Sequence, residues 1–179
     1  MPTKQPRQPP LRSPMQAEAQ TLVLQEAGPE DVDRLTAMEA ACFALPWTRD
    51  NVAGEMENNP FSHGWFLVRA GGDGMPGEAV AYAFMWETFE TAQIARIGVL
   101  PPFRQQGLGL KFLALLKERA AGSGCEFLRL EMRASNEAAR KLYEKAGLIQ
   151  AGVTKRYYSD GEDAISMVTA LESEETTCW

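Results

Sequence analysis

The sequence predicts a single α/β domain built on one mixed sheet with helices on both faces, its elements ordered βααβββαβαββ. Three observations carry that expectation. Short apolar runs such as Trp65-Phe66-Leu67-Val68 and Ala79-Val80-Ala81-Tyr82-Ala83-Phe84-Met85 are bounded by glycine, proline and aspartate, as strands are. In the second half of the chain such runs alternate with apolar residues at helical spacing, which marks strand–helix units. The chain has 179 residues, 45% of them hydrophobic. A compact chain of that size hides roughly 70% of the surface its unfolded form exposes, so the core needs neither metal nor disulfide staples.

Residues 1–20 hold five of the 11 prolines, the bases Lys4, Arg7 and Arg12, and a single acid, Glu18. With little to bury, they are expected to form a disordered arm, and the domain is expected over 21–171. Thr21-Leu22-Val23-Leu24-Gln25-Glu26 is its first strand. Pro29 opens a helix running through Glu39, with acids in the first turn, where the helix dipole favours them. Thr48 is the N-cap of a second, short helix that starts at Arg49. The strands 65–69 and 79–85 form a hairpin across the glycine-rich segment 71–77. A further strand, 93–100, is stopped by Pro101-Pro102. Leu108, Phe112, Leu115 and Leu116 mark a helix, 127–132 a strand, and Asn136 to Ala146 a helix closed by Gly147 in the left-handed cap position. Two strands near 148–155 and 164–171 flank the turn Ser159-Asp160-Gly161. The residues 172–179 are expected to be a flexible tail.

Eighteen basic residues face 24 acidic ones, a net charge of -6. Without the arm the body holds 15 basic and 23 acidic residues, a net of -8. Nucleic-acid affinity rests on Lys and Arg neutralising phosphates, so this balance excludes a broad nucleic-acid surface and suits a basic partner. No run approaches the roughly 18 apolar residues of a membrane helix, and the N-terminus lacks the apolar core of a secretory signal, so no membrane partner and a cytoplasmic location are expected. Cys42, Cys125 and Cys178 are widely spaced, with one histidine, His63, in the turn 58–64; no metal site is expected.

The segment Arg104-Gln105-Gln106-Gly107-Leu108-Gly109 lies between a strand and a helix. N–H groups at a helix N-terminus favour an anion, and glycine lets a phosphate approach the main chain. The spacing is neither the GxxxxGK of a nucleotide triphosphatase nor the GxGxxG dinucleotide fingerprint, so taken alone it also fits a plain glycine-rich helix entry.

Context narrows the choice. Ile97-Gly98-Val99-Leu100-Pro101-Pro102-Phe103 running into that loop resembles the coenzyme A signature of the GNAT family of N-acetyltransferases. The likeness extends through Leu130-Glu131-Met132-Arg133-Ala134-Ser135-Asn136, Leu142-Tyr143-Glu144-Lys145-Ala146-Gly147-Leu148 and Arg156-Tyr157-Tyr158, and upstream to Cys42-Phe43-Ala44-Leu45-Pro46-Trp47-Thr48. Over roughly 21–169 it is similar to the ribosomal-protein-alanine N-acetyltransferase (RimI) subfamily. The resemblance implies the GNAT acyl-CoA N-acyltransferase fold, with splayed central strands, and acetyl-CoA as co-substrate. It implies that backbone groups of Ile97, Gly98 and Val99 face the acetyl-pantetheine arm, that Gln105, Gln106, Gly107, Leu108, Gly109 and Leu110 cradle the pyrophosphate, and that Asn136 reaches the coenzyme. The chain departs from the family pattern at Leu110, where Arg or Lys is usual, which leaves phosphate binding to backbone amides. Leu148 replaces the usual Phe, a packing change.

Acetyl transfer to an amine needs a neutral nucleophile, donors for the developing oxyanion and a proton for the thiolate. An N-terminal amine, with an ordinary pKa of about 7.7–8.0, is easier to deprotonate than a lysine near 10.4. Glu131, at the C-terminal end of its strand, matches the family's base. By itself it also fits a carboxylate paired with Arg129 or Arg133. Tyr143 matches the proton donor; seven residues after Asn136, it is expected on the same helix face, and its other reading is a half-buried packing ring. The Val99 N–H is the expected oxyanion donor. By resemblance Trp47, Tyr157 and Tyr158 wall the acceptor groove, and buried aromatics equally serve as core anchors. Glu39, Glu162 and Asp163 either draw in a basic acceptor or form a solvated acidic face. Together these residues imply acetylation of a protein N-terminus, the likeness pointing to a basic ribosomal protein, the N-terminal alanine of small-subunit protein eighteen. The alternatives are a lysine or small-amine acetyltransferase and a non-catalytic acyl-CoA-binding module.

Overall fold

A computed structural model describes residues 21–71 and 77–172. The expected arm over 1–20, the hairpin tip over 72–76, the tail beyond Glu172 and Cys178 lie outside the described residues. The elements follow the expected order: β1 Leu22–Glu26, α1 Val32–Cys42, α2 Arg49–Ala53, β2 Ser62–Arg69, β3 Glu78–Thr88, β4 Thr91–Val99, α3 Leu108–Gly122, β5 Phe127–Arg133, α4 Glu137–Lys145, β6 Ile149–Thr154 and β7 Ala164–Ala170. They build one sheet in the order β1-β2-β3-β4-β5-β7-β6.

Strand alternation splits the core into two layers. Leu67, Ala81, Ala83 and Met85 turn to one face, where Phe112, Leu113 and Leu116 of α3 and Tyr143 of α4 cover them. Phe66, Tyr82 and Phe84 turn to the other, against Leu35 and Met38 of α1 and Val52 of α2. On β5 the residues Leu128, Leu130 and Met132 are buried, while Phe127, Arg129 and Glu131 alternate toward the second face.

The connection between β4 and β5 positions the site. β4 pairs antiparallel with β3 as far as Val99. It pairs parallel with β5 only over Thr91–Ile94 against Phe127–Leu130. β5 continues to Arg133 alongside β7. Past Ile94 and Leu130 each strand follows its antiparallel neighbour and the two part, opening a cleft in mid-sheet.

Several boundaries differ from expectation. Pro29–Asp31 forms a 3-10 turn, with Asp31 accepting the Gly28 N–H at 3.0 Å, so α1 begins at Val32. Thr48 caps α2 as expected, accepting the Asn51 N–H at 3.2 Å, but the helix runs on through a wider turn, Gly54–Asn58. His63 lies in β2, not in a turn, because pairing starts at Ser62 opposite Trp86; its Nδ1 sits 3.1 Å from Glu26. Gly147 takes the expected left-handed cap at φ 87°. Among the described residues, no helix is long and apolar enough to cross a membrane.

Candidate active site

The donor side is a strand edge. The Leu100 N–H donates to Val80 of β3 at 3.0 Å. Backbone alternation therefore turns the Val99 N–H to the opposite edge, into the cleft where β5 has left the ladder. Gly98 faces the second layer, and a Cβ there would lie 3.0 Å from both Cys42 Sγ and Tyr82 Cε1, so glycine lets α1 pack tightly on the strand.

The glycine loop then turns the chain into α3. Gln105 at φ 61° and Gly107 at φ 74° are both left-handed. The Lys111 N–H bonds Gly107 at 3.2 Å, which leaves Leu108, Gly109 and Leu110 in the first turn, whose N–H groups have no helical carbonyl. No heavy atom lies within 4 Å of a Cβ built at Gly107, so the loop is open on its outer side. Gly109 packs inward, its virtual Cβ 3.2 Å from Leu142 of α4. The Gln106 side chain donates to Pro102 at 3.1 Å and so holds the loop, leaving its backbone to face a ligand. Open space, a glycine bend and unpaired N–H groups fit a pyrophosphate.

Glu131 is the first residue of β5 beyond its pairing with β4, and its side chain is 22% exposed. Arg129 stands 3.6 Å away. Tyr157 lies against the same carboxylate, whose influence raises the tyrosine's pKa. Arg133 turns elsewhere, donating to Asp160 and Glu162 at 2.7 Å each and lying 4.0 Å from the Tyr158 ring. Glu162 also accepts the Ser135 N–H at 2.8 Å; these donors hold its carboxyl down at about 2. Asp163 accepts from Lys155 at 2.8 Å and from the Arg156 N–H at 3.0 Å. The loop between β6 and β7 is thereby clamped, with Tyr157 and Tyr158 edge to face at 5.1 Å. Burial raises the Tyr158 hydroxyl, with the Arg133 charge acting against it. Tyr143 is 8% exposed on α4, and burial pushes its hydroxyl up to about 12. Asn136 is the N-cap of α4, its Oδ1 accepting the Ala139 N–H at 3.1 Å. Asn136 thus caps the helix instead of forming its first residue as expected, and its side-chain oxygen is committed to the helix end.

The acetyltransferase (GNAT) family profile matches residues 32–148. The chain belongs to the GNAT acetyltransferase family. It is 34% identical over 139 residues, 77% of this chain and 88% of the relative, to a putative [ribosomal protein bS18]-alanine N-acetyltransferase of Bacillus subtilis. It is 30% identical over 144 residues, 79% and 94% of the two chains, to the [ribosomal protein bS18]-alanine N-acetyltransferase of Haemophilus ducreyi. Among solved structures, the ribosomal-protein-S18-alanine N-acetyltransferase of Escherichia coli superposes with a TM-score of 0.73 at 27% identity, covering 89% of this chain and 99% of that one. Arabidopsis thaliana NAA60, solved with acetyl-CoA, shares the fold at a TM-score of 0.72 and 16% identity, over 84% and 99% of the chains.

Trp47 lies in the segment between α1 and α2, its ring 5.5 Å from Phe84. Two arginines that sequence reasoning passed over hold the segment. Arg96 of β4 pairs with Glu39 at 2.7 Å, and Arg104 donates to Val99 at 2.9 Å and to Cys42 at 3.0 Å, both backbone carbonyls. Glu39 is fully buried, which corrects its reading as a solvated or substrate-attracting acid. The signal was present: Glu39 falls on the same helical stripe as Val32 and Leu35, and a carboxylate on a buried face needs a cation. Glu162 and Asp163 are ion-paired within the loop clamp, with Arg133 and Lys155.

Proposed function

We propose that the chain is an acetyl-CoA-dependent Nα-acetyltransferase, acting on a protein N-terminal amine, and that its acceptor is the N-terminal alanine of ribosomal protein bS18. The observation that carries the reading is Glu131, a partly exposed carboxylate at the mouth of the cleft between β4 and β5, walled by Tyr157. The names of the relatives support the choice of acceptor.

In this reading the α3 N-terminus and the glycine loop hold the pyrophosphate through backbone N–H groups, with Gln105, Gln106, Gly107, Leu108, Gly109 and Leu110 in that role. The edge of Ile97, Gly98 and Val99 receives the pantetheine arm, and Asn136 contributes its amide. Glu131 takes the amine proton through water; for an N-terminal amine near about 7.7–8.0 a carboxylate base suffices. The Val99 N–H donates to the oxygen on which negative charge develops. Tyr143, kept protonated by burial, donates to the departing sulfur. Trp47, Tyr157 and Tyr158 line the path of the acceptor.

The test is mass spectrometry of peptides incubated with acetyl-CoA: free N-termini including an alanine-initiated bS18 sequence, blocked N-termini with internal lysines, and polyamines. Transfer to the free alanine terminus is expected. Transfer confined to lysines or polyamines overturns the acceptor, and no transfer to any amine leaves an acyl-CoA-binding module.

A further inference from the structure

The wall carrying Trp47 has almost no backbone structure of its own. Between α1 and α2 the residues Phe43–Trp47 form neither helix nor strand, and the Phe43 N–H to Glu39 oxygen bond of 3.0 Å is the helix's last. Besides the Arg104 bond to Cys42 at its start, one guanidinium holds most of the segment. Arg96 donates through Nε to Glu39 Oε1 at 2.7 Å, and through Nη2 to Glu39 Oε2 at 3.1 Å and to the Leu45 carbonyl at 3.0 Å. Its carbon lies 3.9 Å from the centre of the Phe43 ring and 5.2 Å from that of Trp47. The second Glu39 oxygen also accepts the Trp47 N–H at 3.3 Å. Every second residue of the segment, Phe43, Leu45 and Trp47, is therefore held by this ion pair.

We propose that Arg96, anchored by Glu39, is a positioning residue that sets the acceptor wall. The inference rests on the reading of Trp47 as an acceptor-side residue and goes beyond it. A buried carboxylate is costly unless bidentate and fully bonded, and a pair of that kind is best explained by the geometry it imposes. Arg96 stands two residues before Gly98 on β4, so one strand carries both the donor edge and the anchor of the acceptor wall. Planarity matters: a lysine satisfies Glu39 as a point charge but cannot stack on Phe43 while donating to two oxygens of Glu39 and to Leu45.

The deciding variant is Arg96→Lys, with Glu39→Gln as the second should the first fold poorly; Glu39→Gln keeps the volume and one acceptor. Steady-state constants for acceptor peptide and acetyl-CoA are measured separately, with melting temperature and coenzyme A binding by calorimetry. The expected result is an acceptor KM raised about tenfold, with kcat, acetyl-CoA KM and coenzyme A affinity near wild type. An unchanged acceptor KM in a folded variant, or acceptor and acetyl-CoA constants rising together, overturns the proposal. Wild-type protein separates the two readings: if it acetylates no free N-terminus, the acceptor assignment fails. If it does so normally and Arg96→Lys matches it, only the positioning role fails.

Discussion

Replacing Tyr143 by phenylalanine tests the acid role, and the structure sets the size of the effect. Burial holds the Tyr143 hydroxyl at about 12. A thiol ionises near about 8.5, so complete proton transfer from Tyr143 to the departing sulfur runs uphill by about 3.5 units, or about 5 kcal/mol. Tyr143 therefore contributes chiefly a hydrogen bond that strengthens as charge builds on sulfur. A hydrogen bond to a charged group is worth about 1.5–3 kcal/mol, or about 10- to 150-fold in rate. Tyr143→Phe should lose that factor in kcat while keeping acetyl-CoA affinity and melting temperature, because the ring still fills its place beside Leu148. The sign of the pH effect follows. The useful form is the protonated one, and a raised pKa keeps it present well into alkali. An ordinary phenol would be half ionised near pH 10, whereas Tyr143 stays almost wholly protonated there. The assay is thiol release with a saturating acceptor peptide from about pH 6 to about 10. A variant within about threefold of wild type, or a wild-type alkaline limb near pH 10 that the variant lacks, would refute the argument.

Glu131→Gln should lower kcat by about 10²- to 10⁴-fold with acetyl-CoA binding kept, the loss deepening as pH falls and the amine protonates; steady-state pH profiles and calorimetry check it. Gly107→Ala meets no neighbour but must hold φ 74°. It should cost about 1–2 kcal/mol of stability, seen in thermal melts, and weaken coenzyme A binding measured by calorimetry. Glu162, ordinarily near 4.5, is held at about 2 by Ser135 and Arg133. A depressed carboxyl stabilises the fold above its ordinary pKa and loses that contribution as pH falls toward its folded value. Hydrogen exchange should therefore show the 155–163 amides protected down through pH 4.5 and released only toward about 2, with Glu162→Gln exposing them at neutral pH.

Most of the fold was legible because its signals are local. Thr48 before Arg49, Gly147 after α4 and the prolines after Val99 each act within a few residues, and the structure places them where their chemistry requires. The misplaced boundaries also have local causes: Pro29 fits a tight 3-10 turn as well as a first α-turn, and Asn136 is a better cap than a helical residue. The candidate site was legible where a motif carried it: the glycine loop leads into α3 as expected, and Glu131 stands where β4 and β5 part. The tie between Glu39 and Arg96 was not, because it spans 57 positions. Hydrophobic periodicity flags a buried carboxylate but says nothing about which distant cation answers it.

The acids of the body illustrate why position outweighs net charge. Glu39 has two guanidinium bonds and a backbone N–H; Glu162 has Arg133 and the Ser135 N–H; Asp163 has Lys155 and the Arg156 N–H. Each is tied by an ion pair and a backbone N–H to the segment around it. Glu131 differs. Its cation, Arg129, stands at 3.6 Å, beyond hydrogen-bond distance, with a side chain 44% exposed. Such a surface pair contributes little, so Arg129 does little to fix the Glu131 carboxylate in place. Tyr157, which also acts on this carboxylate, is half exposed; in the proposed reading it belongs to the acceptor wall, so a substrate entering there displaces that contact. Of these carboxylates, the one with the weakest fixed partners is Glu131 at the mouth of the cleft, the position that the proposed base role requires.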